Sequence, residues 1–396
     1  MANILVLGAG IFQVPLIKES QQQGHKTLVA TVQGDYPGIK AADIFLEADT
    51  TDVETVTNLA RKHNVDAILT TGTDVSIPTL AAVCNTLNLK GPSIEAAKTV
   101  SSKTSFRRFL NQNNFNCPSF ITCTSPEELI SFYQKENHKI VTKPDDASGS
   151  RGVSILDYGL NKNTITEAYY EAQNHSRNGK ICAESFIEGR EIGGDAFLVN
   201  GQFVFFTTTC KHMKEIIVSG HTIPDNISEK KLKRIKDELL RVTRKLNYTD
   251  GPLNFDVIIS ETKATILEMG LRNGGNGITD IIKSSYGIDL NTVLIDFVTS
   301  KTLKINQPTH PTESSSYVFG SDKEGMLTYI TPFEDLKKKI PQLKKVVLAK
   351  EIGQQVKPFV HNANLIGYFI LDCGKEQYEI ICQTIQKELI IEVETQ

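Results

Sequence analysis

The stretch "PLNFDVIISETKATILEMGLR", Pro252–Arg272, joins two apolar runs through a short polar turn. This pattern predicts an antiparallel β-hairpin with Thr262 at its midpoint. Asp256 and Glu268 are each six residues from Thr262. A symmetric register therefore places the two carboxylates directly opposite each other on one face, with Cβ atoms about 4.5–5.5 Å apart.

Two facing carboxylates repel each other unless a cation lies between them. Mg²⁺ prefers oxygen ligands that it shares with nucleotide phosphates, so the pair predicts a metal site. The alternative is a solvated sheet face on which two acids align. The flanking runs "FDVII" and "TILEM" are apolar and favour the metal site.

The same register places further groups on this face. Asn254 would oppose Gly270, and Pro252 would oppose Arg272. Arg272 would then project beside the metal site, where a guanidinium can hold a phosphate or a carboxylate. A structural salt bridge is the alternative role for this arginine.

The rest of the chain predicts a mixed α/β fold. In the first hundred residues, strand-like runs such as "NILVLGAG", "KTLVATV" and "DAILTTG" alternate with helical patterns, which indicates βαβ units and a mostly parallel sheet. A second αβ region follows, antiparallel strands begin near Gln202, and strands and polar turns alternate after about Ser300.

Composition excludes several classes of protein. The chain has 396 residues and a formal net charge of -3, without the basic excess of a nucleic-acid binder. No apolar run approaches the roughly 20 residues of a membrane helix. The N-terminus shows no secretion signal, and the seven cysteines are scattered without CxxC spacing. We therefore expect a reduced, cytoplasmic protein without a disulfide framework or a zinc site.

The N-terminus carries a partial dinucleotide motif. Gly8 and Gly10 follow a strand, but Gln13 replaces the third glycine and no acidic residue ends the second strand, which argues against NAD. Two polar segments, Asp35–Pro37 and Thr71–Asp74, follow strands two and four, where α/β proteins bind ligands. Ordinary turns are the other interpretation of both segments.

The order of motifs resembles that of the ATP-grasp superfamily over about residues 1–300. The segments that carry the resemblance are "SSKTSFRRFL" with "NFNCPSF", "IVTKP", "ASGSRGV", "AESFIEGRE", "SGHTIP" and the hairpin. The resemblance implies a Rossmann-like parallel sheet in residues 1–98 and an ATP-grasp domain in residues 99–300, with a small lid at about 113–190. A small C-terminal α+β domain would follow in residues 301–396.

The resemblance also implies a site for ATP and Mg²⁺ (or Mn²⁺). The implied nucleotide contacts are Lys103, Lys143, the loop residues Ser148, Gly149, Ser150 and Gly152, and the hinge residues Glu184, Phe186, Ile187 and Glu191. The implied metal ligands are Asp256 and Glu268, and the implied catalytic residues are Arg272 and Lys143.

The chain departs from the family pattern E-x-N-x-R, because Gly270 stands where the asparagine is usual. The second metal would lose a ligand there. Asn254, opposite Gly270, could supply an amide oxygen, as could Asn273, Asn276 or water.

The resemblance implies a ligase that joins a carboxylate to an amine through an acyl phosphate. Bicarbonate-dependent carboxylation through carboxyphosphate is one alternative, and a nucleotide-binding protein without turnover is another. A dinucleotide oxidoreductase is more distant. The acid, the amine and the oligomeric state are open, and a homodimer is compatible with the sequence. We expect small-molecule substrates and neither nucleic acid nor membrane as a partner.

Overall fold

The computed structural model describes residues 1–214, 216–303 and 305–395. The N-terminal elements are β1 (Asn3–Leu7), α1 (Val14–Gln22), β2 (Lys26–Thr31), α2 (Pro37–Ala41), β3 (Ile44–Glu47), α3 (Val53–Lys62), β4 (Ala67–Leu69) and α4 (Ile77–Leu87). The four strands form a parallel sheet in the order β3-β2-β1-β4. Residues 4–7 of the inner strand β1 are fully buried, as expected of a parallel sheet covered on both faces.

Two helices, α5 (Ile94–Val100) and α6 (Lys103–Gln112), lead from this sheet to the centre of the molecule. Ser102 caps α6, because its hydroxyl accepts a hydrogen bond from Ser105 N at 3.1 Å. The same hydroxyl donates to the Asp145 carboxylate at 2.9 Å. Lys103, the first residue of the helix, is thereby fixed beside the loop that contains Asp145.

A small antiparallel sheet follows. Its elements are β5 (Phe120–Cys123), α7 (Pro126–Glu136), β6 (Ile140–Pro144), β7 (Ser154–Leu156), α8 (Lys162–Asn174) and β8 (Ile181–Ser185). The strand order is β5-β8-β6-β7, and residues of α7 and α8 such as Leu129 and Tyr169 pack on the sheet. The glycine-rich loop connects β6 to β7 and is therefore supported at both ends.

The central sheet is also antiparallel. Its elements are β9 (Arg190–Val199), β10 (Gln202–Lys214), β11 (Ile217–Ile223), α9 (Glu229–Lys245), β12 (Gly251–Ile259), β13 (Ala264–Gly270), α10 (Ile278–Tyr286) and α11 (Leu290–Val298). Apolar residues of α9, including Leu239, pack in one cluster with the sheet, while Ile281 of α10 and Ile295 of α11 pack in another. Alternate strand residues face these two clusters, as the period of two requires.

The C-terminal strands extend this sheet. The elements are β14 (Ser314–Phe319), β15 (Gly325–Ile330), α12 (Phe333–Lys339), β16 (Leu343–Leu348), β17 (Gln355–Val356), a 3₁₀ turn (Asn362–Asn364), β18 (Gly367–Leu371), α13 (Lys375–Glu388) and β19 (Ile391–Glu394). Strand β14 pairs with β11, which gives eight strands in the order β13-β12-β9-β10-β11-β14-β18-β16. A separate three-stranded sheet has the order β17-β15-β19.

The predicted fold class is confirmed, since a parallel N-terminal sheet is followed by antiparallel sheets in a mixed α/β molecule. The predicted domain boundaries remain predictions. Of the strands after residue 301, β14, β16 and β18 belong to the same sheet as β9–β13, whereas β15, β17 and β19 form a separate sheet. In the described part of the chain, none of the helices has the length and apolar character needed to span a bilayer.

Candidate active site

A cavity of about 580 Å³ lies where the small sheet, the central sheet and the loops of the N-terminal sheet meet. The predicted site residues that line it are Lys103, Lys143, Ser148, Gly149, Ser150, Glu184, Phe186, Ile187, Glu191, Asn254, Asp256, Glu268 and Arg272. The structure therefore brings together residues that lie up to 169 positions apart, from Lys103 to Arg272.

Gly152 is the predicted site residue that does not line the cavity. It has a φ of +64°, and a Cβ at this position would lie 3.0 Å from both Pro144 Cγ and Glu171 O. Glycine is therefore needed because the loop packs closely against α8 at a left-handed backbone position. Ser148, Gly149 and Ser150 form the part of the loop that faces the cavity.

The hairpin has the predicted pairs at the site. Asp256 lies opposite Glu268, and Asn254 lies opposite Gly270. The sequence also predicts that Pro252 lies opposite Arg272. Strand β13 ends at Gly270, so this pair is not part of the ladder. That expectation was wrong, because the chain leaves the sheet after the second pair.

The hairpin is not symmetric, however. The turn is closed by a hydrogen bond from Ser260 N to Lys263 O at 2.9 Å, so its centre precedes Thr262. A β-bulge at Leu267 adds one residue to β13, and this shift restores the pairs at the site. The carbonyl of Leu267 accepts a hydrogen bond from Arg107 Nη1 at 2.9 Å.

Two lysines compensate the facing carboxylates. Lys103 Nζ lies 3.4 Å from Glu268 Oε1, and Lys211 Nζ lies 3.0 Å from Asp256 Oδ2. Lys211 also bonds Glu191 Oε1, at 2.5 Å. The carboxylate side chains are 41% and 25% exposed for Glu268 and Asp256, so both open into the cavity.

The pKa values of the two carboxyl groups move in opposite directions. Burial raises the pKa of Asp256, and Glu191 and Glu268 add to the increase against the opposing effect of Lys211. Burial also acts to raise the pKa of Glu268, but Lys103, Lys143 and the other nearby cations outweigh it, and the pKa is lowered.

Glu184 is held by two cations. Arg107 Nε lies 2.7 Å from one oxygen, and Lys143 Nζ bonds the other. Burial would raise the pKa of Glu184, but these two cations hold it at about 2. The predicted nucleotide residues Glu184 and Lys143 therefore form one ion-paired unit with Arg107, which is 1% exposed.

The predicted hinge follows β8 directly. The amide of Phe186 donates to Lys139 O at 3.0 Å, so this N–H is already used inside the small sheet. Phe186 and Ile187 line the cavity, and the Phe186 carbonyl and the Ile187 amide would be the acceptor and the donor for a ligand at this turn. One acceptor beside one donor matches the hydrogen-bonding edge of an adenine base.

Arg272 meets two groups outside its own loop. Its Nε and Nη2 donate to the two carboxylate oxygens of Asp74 at 2.9 and 2.7 Å. Its Nη1 donates to Asn254 Oδ1 at 2.8 Å and to Asn273 O at 3.2 Å. The Asn254 oxygen that the sequence offers as a metal ligand is therefore bonded to Arg272, and its role as a ligand remains a prediction.

Sequence reasoning missed Lys211, Asp195 and the partner of Asp74. Lys211 is a lysine within the strand "TTTCKHMK", and a cation in a strand interior was the available signal. Asp195 is fully buried, and burial raises its pKa to about 7 although Gly274 N and Asn254 Nδ2 both donate to it. Its sequence neighbours "EIGGDAFL" give no indication of this contact.

The segment "SGHTIP", Ser219–Pro224, was predicted to lie near the substrate side. His221 lines the cavity, and its Nδ1 lies 2.9 Å from Thr209 Oγ1. Burial and the nearby charge of Lys211 lower the pKa of His221 well below its usual value, so the imidazole is neutral.

The donor set fits a hard divalent cation. Among residues 1–214, 216–303 and 305–395, no three His, Cys, Asp or Glu side chains form a group that could hold a metal. Asp256 and Glu268 would therefore supply two ligands, with water and phosphate oxygens completing the shell, which is the usual way that Mg²⁺ binds. Carboxylates without sulfur ligands favour Mg²⁺ or Mn²⁺ over softer metals.

The small sheet (β5–β8) and the carboxylate hairpin (β12 and β13) lie on two sides of one cavity, and this arrangement can be compared with known families. Residues 136–280 match the family model of the ATP-grasp domain. The resemblance that the order of motifs predicts is thereby confirmed over this span.

Solved structures share the fold along the whole chain. The L-amino acid ligase of Bacillus licheniformis has a TM-score of 0.83 at 20% identity, with 100% of this chain and 99% of that chain covered. Phosphoribosylglycinamide synthetase of Anaerococcus prevotii has a TM-score of 0.76 at 21% identity, with 99% and 100% covered.

A third structure carries ligands. It is the biotin carboxylase domain of the Hydrogenobacter thermophilus 2-oxoglutarate carboxylase, in complex with magnesium ADP and bicarbonate. Its TM-score is 0.75 at 14% identity, with 99% of this chain and 91% of that chain covered. At these identities the likeness is one of fold.

Proposed function

We propose that the protein is an ATP-dependent ligase that joins a carboxylate to an amine as an amide. The carboxylate oxygen attacks the γ-phosphorus of ATP and ADP leaves. The amine then attacks the acyl phosphate, loses a proton and displaces phosphate. The observation that carries the proposal is the Asp256–Glu268 pair, which opens into a cavity that is also lined by Lys103, Lys143 and Lys211.

The nucleotide would enter between the hinge and the glycine-rich loop. The Phe186 carbonyl and the Ile187 amide would meet the adenine edge, and Glu191 would meet the ribose hydroxyls. Ser148 and Gly149, in the loop between β6 and β7, would close over the phosphates with their backbone amides. Lys143, anchored on Glu184, would approach the same phosphates.

A bound Mg²⁺ would supply positive charge against the negative charge that develops during phosphoryl transfer. Asp256 and Glu268 would hold it. Because the ion would then compensate the two carboxylates, Lys103 and Lys211 would be free to donate to phosphate oxygens instead. The lysines thus offset the charge of the two carboxylates in this structure, and they would donate to phosphate oxygens once nucleotide and ion are bound.

The acceptor would lie beyond the phosphates, toward the N-terminal sheet. Phe12, Thr73, Asn276 and Ile278 line this end of the cavity next to Arg272. A guanidinium here would stabilise negative charge on the transferred phosphoryl group and on the attacking carboxylate. The mixture of apolar and polar walls suits a small organic acid and a small amine.

The comparisons support ligation and also supply the alternative. Two proteins with this fold are named as a ligase and a synthetase, and a third was solved with bicarbonate. Bicarbonate is therefore included as a test substrate.

All seven cysteines are free thiols, and six are buried, which supports a reducing compartment such as the cytoplasm.

Phosphate release with Mg-ATP tests the proposal. The panel combines amino acids, hydroxy acids and sugar amines, singly and in pairs, with bicarbonate as a separate arm. We expect stoichiometric ADP and phosphate only when an acid and an amine are both present, and a product whose mass equals their sum less one water.

Each other outcome identifies an alternative. Release that depends on bicarbonate alone would favour carboxyphosphate chemistry. A thermal shift with Mg-ATP but no ADP across the panel would favour a nucleotide-binding protein without turnover. If Mg-ATP produces no shift, whereas NAD or NADP does, the nucleotide assignment is wrong.

A further inference from the structure

A side chain at Gly270 would collide with the carboxylate of Asp74 in the position that Asp74 has here. A Cβ built there would lie 2.6 Å from Asp74 Oδ1 and 3.1 Å from both Cζ and Nε of Arg272. The backbone of Gly270 is ordinary strand, so the requirement for glycine comes from space and not from a left-handed conformation. The carboxylate of Asp74 fills the volume that a residue-270 side chain would need.

Asp74 grips Arg272 through two parallel hydrogen bonds, at 2.9 and 2.7 Å. A bidentate carboxylate fixes both the position and the plane of a guanidinium. With the bonds from Nη1 to Asn254 and Asn273, four of the five N–H donors of Arg272 have acceptors in the described part of the protein. The donor that is left is on Nη2, next to Asp74.

The segment that carries Asp74 is itself tied to the arginine loop. Gly72 N donates to Asn273 O at 3.0 Å, and Thr71 forms a β-bridge with Asn273. The Gln13 side-chain amide also donates to Thr71 O. Asp74 is therefore presented to Arg272 on backbone that is bonded both to the N-terminal sheet and to the residue that follows Arg272.

We propose that Asp74 is a positioning residue for Arg272 and that Gly270 is glycine because this carboxylate needs its space. The inference rests on the proposed function for the catalytic use of Arg272, although the packing relationship does not. In the pattern E-x-N-x-R, the hairpin supplies the side chain between the glutamate and the arginine. Here Asp74, in the loop that follows β4 of the N-terminal sheet, supplies the polar group at that place, so the site is complete only with both parts of the chain.

The packing half is tested without substrates by a double-variant cycle on the full-length protein. Gly270→Ala should lower the midpoint of thermal unfolding by on the order of 5 °C, since the added methyl collides with Asp74. In the Asp74→Ala background the same change should cost less than about 2 °C, because the colliding group is gone. Equal costs in the two backgrounds would overturn the inference.

The cycle remains decisive where a variant fails to fold. If Gly270→Ala is insoluble and Asp74→Ala/Gly270→Ala is soluble, the space is shown to belong to Asp74. If both are insoluble, the space has another cause and the inference is wrong.

The positioning half is tested by kinetics. Asp74→Asn keeps the shape but removes the charge, and it should lower kcat about 10²-fold, as a roughly 1 Å misplacement of a catalytic group does. The KM for Mg-ATP should stay within about twofold, because Asp74 lies outside the nucleotide contacts. Glu54→Gln, an exposed acid of the same N-terminal part, is the matched control and should change neither constant.

These readouts separate the inference from the proposed function. Failure of wild-type protein to bind Mg-ADP would refute the nucleotide site and leave the unfolding cycle valid. Normal turnover by wild type together with unchanged kcat in Asp74→Asn would refute positioning and leave the ligase proposal standing. A raised KM for Mg-ATP with unchanged kcat would also refute it, since that change describes nucleotide binding.

Discussion

Two carboxylate contacts in the cavity wall are built over very different lengths of chain. Asp256 and Glu268 face each other across one hairpin, 12 residues apart, whereas Asp74 and Arg272 are 198 residues apart. The first contact follows from the register of two adjacent strands. The second requires that the end of a parallel strand meet the end of an antiparallel one. Site residues that lie close together in the sequence can be recognised from the sequence. A contact between distant segments can be recognised only once the fold is known.

The largest expected effect breaks the local contact. Glu268→Gln should reduce turnover by about 10³-fold or more, because it removes a carboxylate from the proposed metal pair. ADP formation measures the effect, and circular dichroism should show an intact fold. Glu261→Gln, in the turn of the same hairpin and 86% exposed, is the control and should retain activity. Unaltered turnover in Glu268→Gln would contradict the metal assignment.

The next largest effect concerns the buried Arg107, which bonds both the small sheet and the hairpin. Arg107 bonds Glu184 of the hinge strand and the bulge carbonyl Leu267 O. Arg107→Gln leaves a buried carboxylate with Lys143 alone, and we expect a loss of about 3 kcal/mol in the free energy of unfolding. Urea denaturation measures it. Arg108→Gln, at an exposed neighbouring position, is the control and should change the free energy of unfolding little. Equal losses of stability in the two variants would show that the buried Arg107–Glu184 pair does not stabilise the fold more than an exposed arginine does.

A third change tests the strand beside the hairpin. Lys211→Met removes the cation that bonds both Glu191 and Asp256, so the pKa of Asp256, already raised, should rise further. Catalysis should fall about 10²-fold, as an electrostatic group at a phosphoryl-transfer site is lost. ADP formation at saturating Mg²⁺ measures the effect. Lys214→Met, on the exposed end of the same strand, should behave as wild type.

The smallest effect lies outside both contacts and provides a baseline. Burial and the charges of Lys375 and Arg190 lower the pKa of His212 to about 4. Below its ordinary pKa of about 6.5, the unfolded chain binds a proton that the folded protein does not, so stability is lost as pH falls from about 6.5 to about 4.

Urea unfolding at pH 7.5 and 5.0 measures this loss. His212→Gln should reduce the difference between the two pH values by about 1–2 kcal/mol. The exposed His310, changed to Gln, should leave the difference as in wild type. A difference unchanged in His212→Gln would mean that this imidazole titrates normally.

Most residues that the sequence predicted for the nucleotide side line one cavity, because each of their motifs is a continuous segment with a recognisable spacing, and their role in binding ATP stays a prediction. Its success at the hairpin was partly a compensation of two errors. The turn is centred before Thr262, and the bulge at Leu267 restores the pairs that symmetry predicts. A bulge depends on cross-strand packing and on the Arg107 contact, neither of which a residue pattern reveals.

The acceptor side could not be predicted in the same way. Thr71–Asp74 was noted as a strand-end segment with two interpretations, but nothing in its residues names Arg272 as its contact. Gly270 looked like a lost metal ligand when only the hairpin was considered. In the structure, the carboxylate of Asp74 occupies the space that a side chain at position 270 would need. The sequence shows only that the asparagine is missing, and the fold is needed to show that a distant residue takes its place.

The pairing of β11 with β14 has a practical consequence for fragments of this protein. Residues 220–223 of β11, which include the cavity residue His221, pair with residues 314–317 of β14. A chain cut near residue 300 would leave β11 as a bare sheet edge, with unpaired N–H and C=O groups that invite aggregation. We therefore expect the smallest soluble, independently expressed piece that retains the cavity to extend well beyond the ATP-grasp span of residues 136–280.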